Sequence, residues 1–79
     1  MPEHVQESRN VTVQGRRTSM RLEAAFWNGL EDICRREGMT INQICTQVSR
    51  KRGQASLTAA VRVFVVSYFR KAAEGLQTR

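Results

Sequence analysis

The stretch Arg17-Thr18-Ser19-Met20-Arg21-Leu22-Glu23 alternates long polar residues with smaller or apolar ones, in a chain that otherwise reads as helix. A strand sends successive side chains to opposite faces, so Arg17, Ser19 and Arg21 share one face and Thr18, Met20 and Leu22 the other. The first face suits a polar, anionic surface; the second suits a core. A lone strand leaves its backbone N–H and C=O groups unsatisfied. A second copy of the same strand is the simplest remedy. It gives an intermolecular two-stranded antiparallel ribbon in a two-fold homodimer, with the arginines of both subunits on one surface. The competing arrangement folds Val11-Thr12-Val13 back on Thr18-Ser19-Met20 through Gln14-Gly15-Arg16-Arg17. It is disfavoured because Gln-Gly is a weaker turn signal than Asn-Gly or Asp-Gly and the partner segment is short.

Size points the same way. Of 79 residues, 1–16 are polar and without a sustained period and read as a mobile arm, 17–74 read as one domain, and 75–79 as a tail. A core built from about sixty residues is marginal for an independent monomer unless disulfides, metal or oligomerisation help. Cys34 and Cys45 fall on apolar helical positions, and the single histidine, His4, lies in the arm. That inventory supplies a four-ligand zinc site poorly, so two buried thiols in a reducing cytosol, with no metal and no cofactor, are expected. No stretch is long and apolar enough to span a bilayer and no secretory signal is visible, which makes a soluble cytoplasmic protein the expectation. Thirteen Lys and Arg against seven Asp and Glu give a net charge of +6, and an excess of that size favours a polyanionic partner.

Three helices follow the strand. From Ala24 to Glu37, Phe26, Leu30, Ile33 and Cys34 recur at helical spacing; Gly38 is set to end the helix left-handed, with Arg35 and Arg36 in its last turn. Trp27 and Gly29 lie off that stripe, with Trp27 covering the core edge. Thr40-Ile41-Asn42-Gln43 has the form of a capping box and opens a second helix to about Arg50, with Ile41, Ile44, Cys45 and Val48 on its apolar face. Its first turn exposes N–H groups of Thr40, Ile41 and Asn42, a seat for a phosphate. After the basic linker Arg50-Lys51-Arg52-Gly53-Gln54, the β-branched run from Leu57 to Ala73 reads as a helix by its spacing and length. Val63, Val66 and Phe69 give that helix a second apolar edge for a partner subunit to cover.

Together, the strand Thr18-Ser19-Met20-Arg21-Leu22-Glu23, the Phe26-Trp27 and Leu30 helix, the Glu37-Gly38-Met39-Thr40-Ile41-Asn42 turn and the second helix resemble the ribbon-helix-helix family of bacterial and phage DNA-binding proteins. The resemblance covers roughly residues 17 to 50, and Leu57 to Ala73 looks like the extra C-terminal helix of a short subgroup. It implies a mainly α fold with one short β-strand, paired in a homodimer, plus that extra helix. It also implies double-stranded DNA as the partner and a nucleoid-associated, non-enzymatic regulator, with oligomers above the dimer on tandem sites left open. Base contacts then fall on Arg17, Ser19 and Arg21, since arginine donates two parallel bonds to guanine and serine donates or accepts. Phosphate contacts fall on Thr40, Ile41 and Asn42, and on Arg16 at the end of the arm. The rival is an antitoxin-like protein-binding module on the same dimer, for which the tail after Gly75 is very short. An enzyme has little support: Glu31, Asp32 and Glu37 decorate an exposed helix face and the thiols look buried.

Overall fold

A computed structural model of the chain describes residues 5–77, so His4 and the end of the tail lie outside the described residues. Two strands, β1 (Gln6–Val13) and β2 (Arg16–Glu23), are followed by α1 (Ala24–Glu37), α2 (Ile41–Lys51) and α3 (Leu57–Gln77). The strands form one antiparallel sheet with register Ser8↔Arg21, Asn10↔Ser19 and Thr12↔Arg17. The expectation of one short strand is corrected: β2 is zipped to β1 of its own chain, in the hairpin that was the competing arrangement, and the fold holds two strands. Most of the segment expected as an arm is strand.

The turn explains the outcome. It consists of Gln14 and Gly15 alone, with φ of 51° and 81°, a pair of positive values that matches the right-handed twist of a two-residue hairpin. Gly15 takes that conformation freely, whereas Gln14 has a Cβ and is strained there. α2 offsets the strain: the Gln14 backbone N–H donates to Thr46 Oγ1 at 3.1 Å and its side-chain amide to Ser49 Oγ at 3.4 Å.

One core joins all five elements. Met20 and Leu22 from β2, Val11 and Val13 from β1, Trp27, Leu30 and Ile33 from α1, Ile44, Cys45 and Val48 from α2, and Val61 and Val65 from α3 are buried together. Trp27 is wholly buried, not a cover for the edge: its indole N–H donates to the Glu7 carbonyl at 2.8 Å, and the Arg9 guanidinium lies 4.7 Å from its ring centroid. Arg9 faces inward without being stranded, because Glu7 and Glu31 hold its charge at 2.8 and 2.9 Å. Thr18, on the core-facing side of β2, is nonetheless exposed near the turn. Gly29 lets α1 approach α3 closely, since a Cβ there would meet Val65 Cγ1 at 3.0 Å.

The local helix signals are realised. Gly38 takes φ 66° at the end of α1, and Thr40 and Gln43 exchange the two bonds of a capping box. α3 is one turn longer than expected, running through Gly75. On its second edge Val63 and Val66 remain 65% and 49% exposed among the described residues, whereas Phe69 packs half-buried against the core. Both cysteines are free thiols; burial pushes the Cys45 thiol up to about 11, which keeps it protonated and unreactive.

α3 is tied to the junction of β2 and α1 by Arg62, which donates from two nitrogens to the Glu23 carboxylate at 3.0 and 3.2 Å. Arg62, a backbone hydrogen bond and the Gln6 amide hold the Glu23 carboxyl at about 2, below the usual 4.5. A carboxyl depressed in the folded state stabilises it above the unfolded value and loses that effect as pH falls through the folded one. Urea midpoints measured from pH 6 to pH 2 should therefore drop between about 4.5 and about 2. Glu23→Gln should lower the midpoint at neutral pH and flatten that part of the curve.

Candidate nucleic-acid interface

The outward face of the hairpin is polar from end to end. Arg17, Ser19 and Arg21 lie on one face of β2 as the alternation requires, and all three are exposed. Directly across from them on β1 stand Thr12, Asn10 and Ser8, also exposed. These three were missed as site residues because they fell in the expected arm. The signal was there in Ser8-Arg9-Asn10-Val11-Thr12-Val13, which alternates with period two, but its inward side begins with the charged pair Glu7 and Arg9.

No carboxylate interrupts this face between Ser8 and Thr12 or between Arg17 and Arg21. The described ion pairs take up Glu7, Glu23, Glu31 and Asp32 with Arg9, Arg62, Arg35 and Arg36, leaving Arg17 and Arg21 outside all of them. Two strands about 4.8 Å apart, with their side chains, match the roughly 12 Å width of a DNA major groove.

The start of α2 sits beside the hairpin. Asn42 Oδ1 accepts from the Thr12 backbone N–H at 2.9 Å, and Thr12 is the cross-strand neighbour of Arg17. The capping box uses Thr40 fully on the helix side: its N–H donates to Gln43 Oε1 at 2.8 Å and its hydroxyl accepts from Gln43 N–H at 3.1 Å. Of the three expected phosphate donors, Thr40 N–H is thus occupied. The N–H groups of Ile41 and Asn42 make no described hydrogen bond, and the helix dipole favours an anion there. Arg16 alternates with Arg17 and so belongs to the opposite face of β2, and both arginines border a hollow under the turn.

The edges of the sheet differ. In a two-residue hairpin whose flanking pair is Val13↔Arg16, the backbone groups of Thr12, Asn10 and Ser8 point out from β1 and those of Arg17, Ser19 and Arg21 from β2. Asn42 and Thr46 cover the β1 edge near the turn. No described hydrogen bond reaches the outward backbone groups of Arg17, Ser19 and Arg21.

The family model for the ribbon-helix-helix domain matches residues 6–69. The chain belongs to the ribbon-helix-helix family. Ribbon-helix-helix domains are in general DNA-binding transcription regulators or antitoxins, are generally non-enzymatic, and typically bind DNA as dimers. Among solved structures, an uncharacterized protein from Bordetella pertussis Tohama I is 32% identical with a TM-score of 0.78. The match covers 94% of this chain and 63% of that one, so this chain spans less than two thirds of its length. No curated protein matches the chain. No helix among the described residues of this ribbon-helix-helix unit is long and apolar enough to cross a membrane.

Proposed function

We propose that this ribbon-helix-helix protein is a sequence-specific DNA-binding regulator that sets the outward face of its hairpin in the major groove of a palindromic or repeated operator. Arg17, Ser19 and Arg21 contact base edges, Arg21 and Arg17 by paired donation to guanine. Ser8, Asn10 and Thr12 continue the polar face on β1 and border the groove. The free N–H groups of Ile41 and Asn42 seat a flanking phosphate, with Thr40 holding the helix start in shape and Arg16 reaching a second one. The single observation that carries this reading is an exposed hairpin face with two arginines outside every described ion pair, four small polar residues and no acid.

Two copies join along the free edge of β2, antiparallel about Ser19, so that Arg17 of one lies across from Arg21 of the other. The ribbon of the dimer is then four strands wide, with the β2 pair at its centre and β1 twisting away on each side. The unpartnered backbone groups of β2 and the uncovered Val63 and Val66 both favour an assembly larger than a monomer. Like-charged arginines across the joint repel, so DNA and the dimer reinforce one another.

Selection of bound fragments from a random duplex pool, beside light scattering of the free protein, tests this. Enrichment of a short symmetric site and a dimer mass are expected; enrichment of nothing by a protein that is folded contradicts it. A dimer contacting about six phosphates should show a log–log salt slope near −5. The antitoxin reading keeps the same dimer with a protein as its main target. It predicts that a toxin-like reading frame lies beside the gene.

A further inference from the structure

Beneath the hairpin turn lies a hollow of about 460 Å³, bounded by the turn, the end of α2 and the start of α3. Arg16, Arg17 and Arg52 line it, with Gln14, Thr18 and Ser49 between them and Val13 and Leu57 as its apolar wall. No carboxylate lines it, and none of the three arginines belongs to a described ion pair. Arg52 is held in position by one bond, from Nη1 to the Ala55 carbonyl at 3.1 Å, and its other donors are unassigned. Ser49 adds a hydroxyl.

Gathering three guanidinium groups around one concavity costs repulsion, and every acid that forms a described ion pair serves another arginine. An apolar wall on one side strengthens the field inside such a hollow, and a multiply charged oxyanion is the group that relieves it. Guanidinium forks match phosphate oxygens in pairs. We infer that the hollow under the turn is a phosphate-binding site, built from Arg16, Arg17 and Arg52 and separate from the start of α2. The phosphate is either a backbone phosphate of bound DNA or the group of a free phosphorylated small molecule. Because Arg17 serves both this hollow and the outward face, an occupant of the hollow draws on the same side chain that contacts bases. The backbone source rests on the DNA-binding reading; the free source does not.

The test titrates inorganic pyrophosphate into the full chain and follows backbone and arginine side-chain NMR shifts. Saturating shifts confined to Val13–Thr18, Ser49 and Arg52 are expected, with at least fivefold weaker binding in both Arg16→Gln and Arg52→Gln. Arg70→Gln, exposed on α3, should bind as the parent does. Shifts that never saturate or spread over Arg35 and Arg70, or full-strength binding by both hollow variants, overturn the inference. Unfolding curves show whether Arg52→Gln stays folded, and Arg16→Gln carries the test if it does not. The source is then read from DNA: an Arg52→Gln salt slope shallower by about one at unchanged site preference assigns a backbone phosphate. An unchanged slope alongside saturable pyrophosphate binding assigns a free ligand. If DNA binding itself fails, the pyrophosphate titration still decides whether the site exists.

Discussion

Trp27→Ala should leave the chain largely unfolded at 37 °C. Trp27 has no exposed surface, packs with β1, β2 and all three helices in one core, and spends its only polar group on the Glu7 carbonyl. Truncating a buried tryptophan to alanine costs about 3–5 kcal/mol through lost burial and the cavity left behind. The change also strands the Glu7 carbonyl and removes the ring under Arg9. In a domain this small each kcal/mol shifts the melting temperature by about 4–8 °C, so a fall of roughly 15 °C or more is expected by circular dichroism. Trp27→Phe, which keeps most of the packing and loses the donor, should fall much less. A tryptophan that merely covered the core edge or stacked on a base would behave oppositely, with near-parental melting and weakened DNA binding.

The Arg17→Ala, Arg21→Ala double variant should melt like the parent and lose its DNA site. Both side chains are exposed and make no described hydrogen bond or ion pair, so nothing in the fold depends on them. Each paired donation to a guanine discriminates by about 1–3 kcal/mol, and two lost contacts correspond to a roughly 30-fold or greater fall in affinity for the selected site. Affinity for random duplex should fall far less. Asn42→Ala keeps the backbone N–H groups that seat the flanking phosphate but removes the Oδ1 that accepts from Thr12 N–H, so it should loosen the β1 edge and weaken all sequences evenly by displacing the start of α2 from the hairpin. Competition titrations at fixed salt separate the two patterns.

What could be read directly from the sequence was local. The Thr40 and Gln43 bonds span three residues, and the left-handed Gly38 follows from its own missing Cβ, so both were visible without any tertiary knowledge. The alternation of Arg17 to Leu22 likewise placed Arg17, Ser19 and Arg21 outward and Met20 and Leu22 inward. The pairing partner Val11-Thr12-Val13 was in view but disfavoured, because what stabilises the hairpin lies far along the chain. Gln14 tolerates its positive φ through Thr46 and Ser49, 32 and 35 residues on. Arg9 faces the core because Glu31, 22 residues on, and Trp27 receive it there. A turn rated by its own two residues, and a strand rated by its apolar content, miss both compensations. Trp27 was misjudged for the same reason: with β1 absent from the expected fold, nothing stood over the side of α1 that carries it.

The central claim is that Arg21 on the outward hairpin face reads a base. It is tested most directly by running the random-duplex selection in parallel with the parent protein and with Arg21→Ala. The account predicts that the variant still enriches a symmetric site of the same length and spacing but loses the guanine preference at one position in each half. An unchanged preference at every position, from a variant that binds as tightly as the parent, contradicts it.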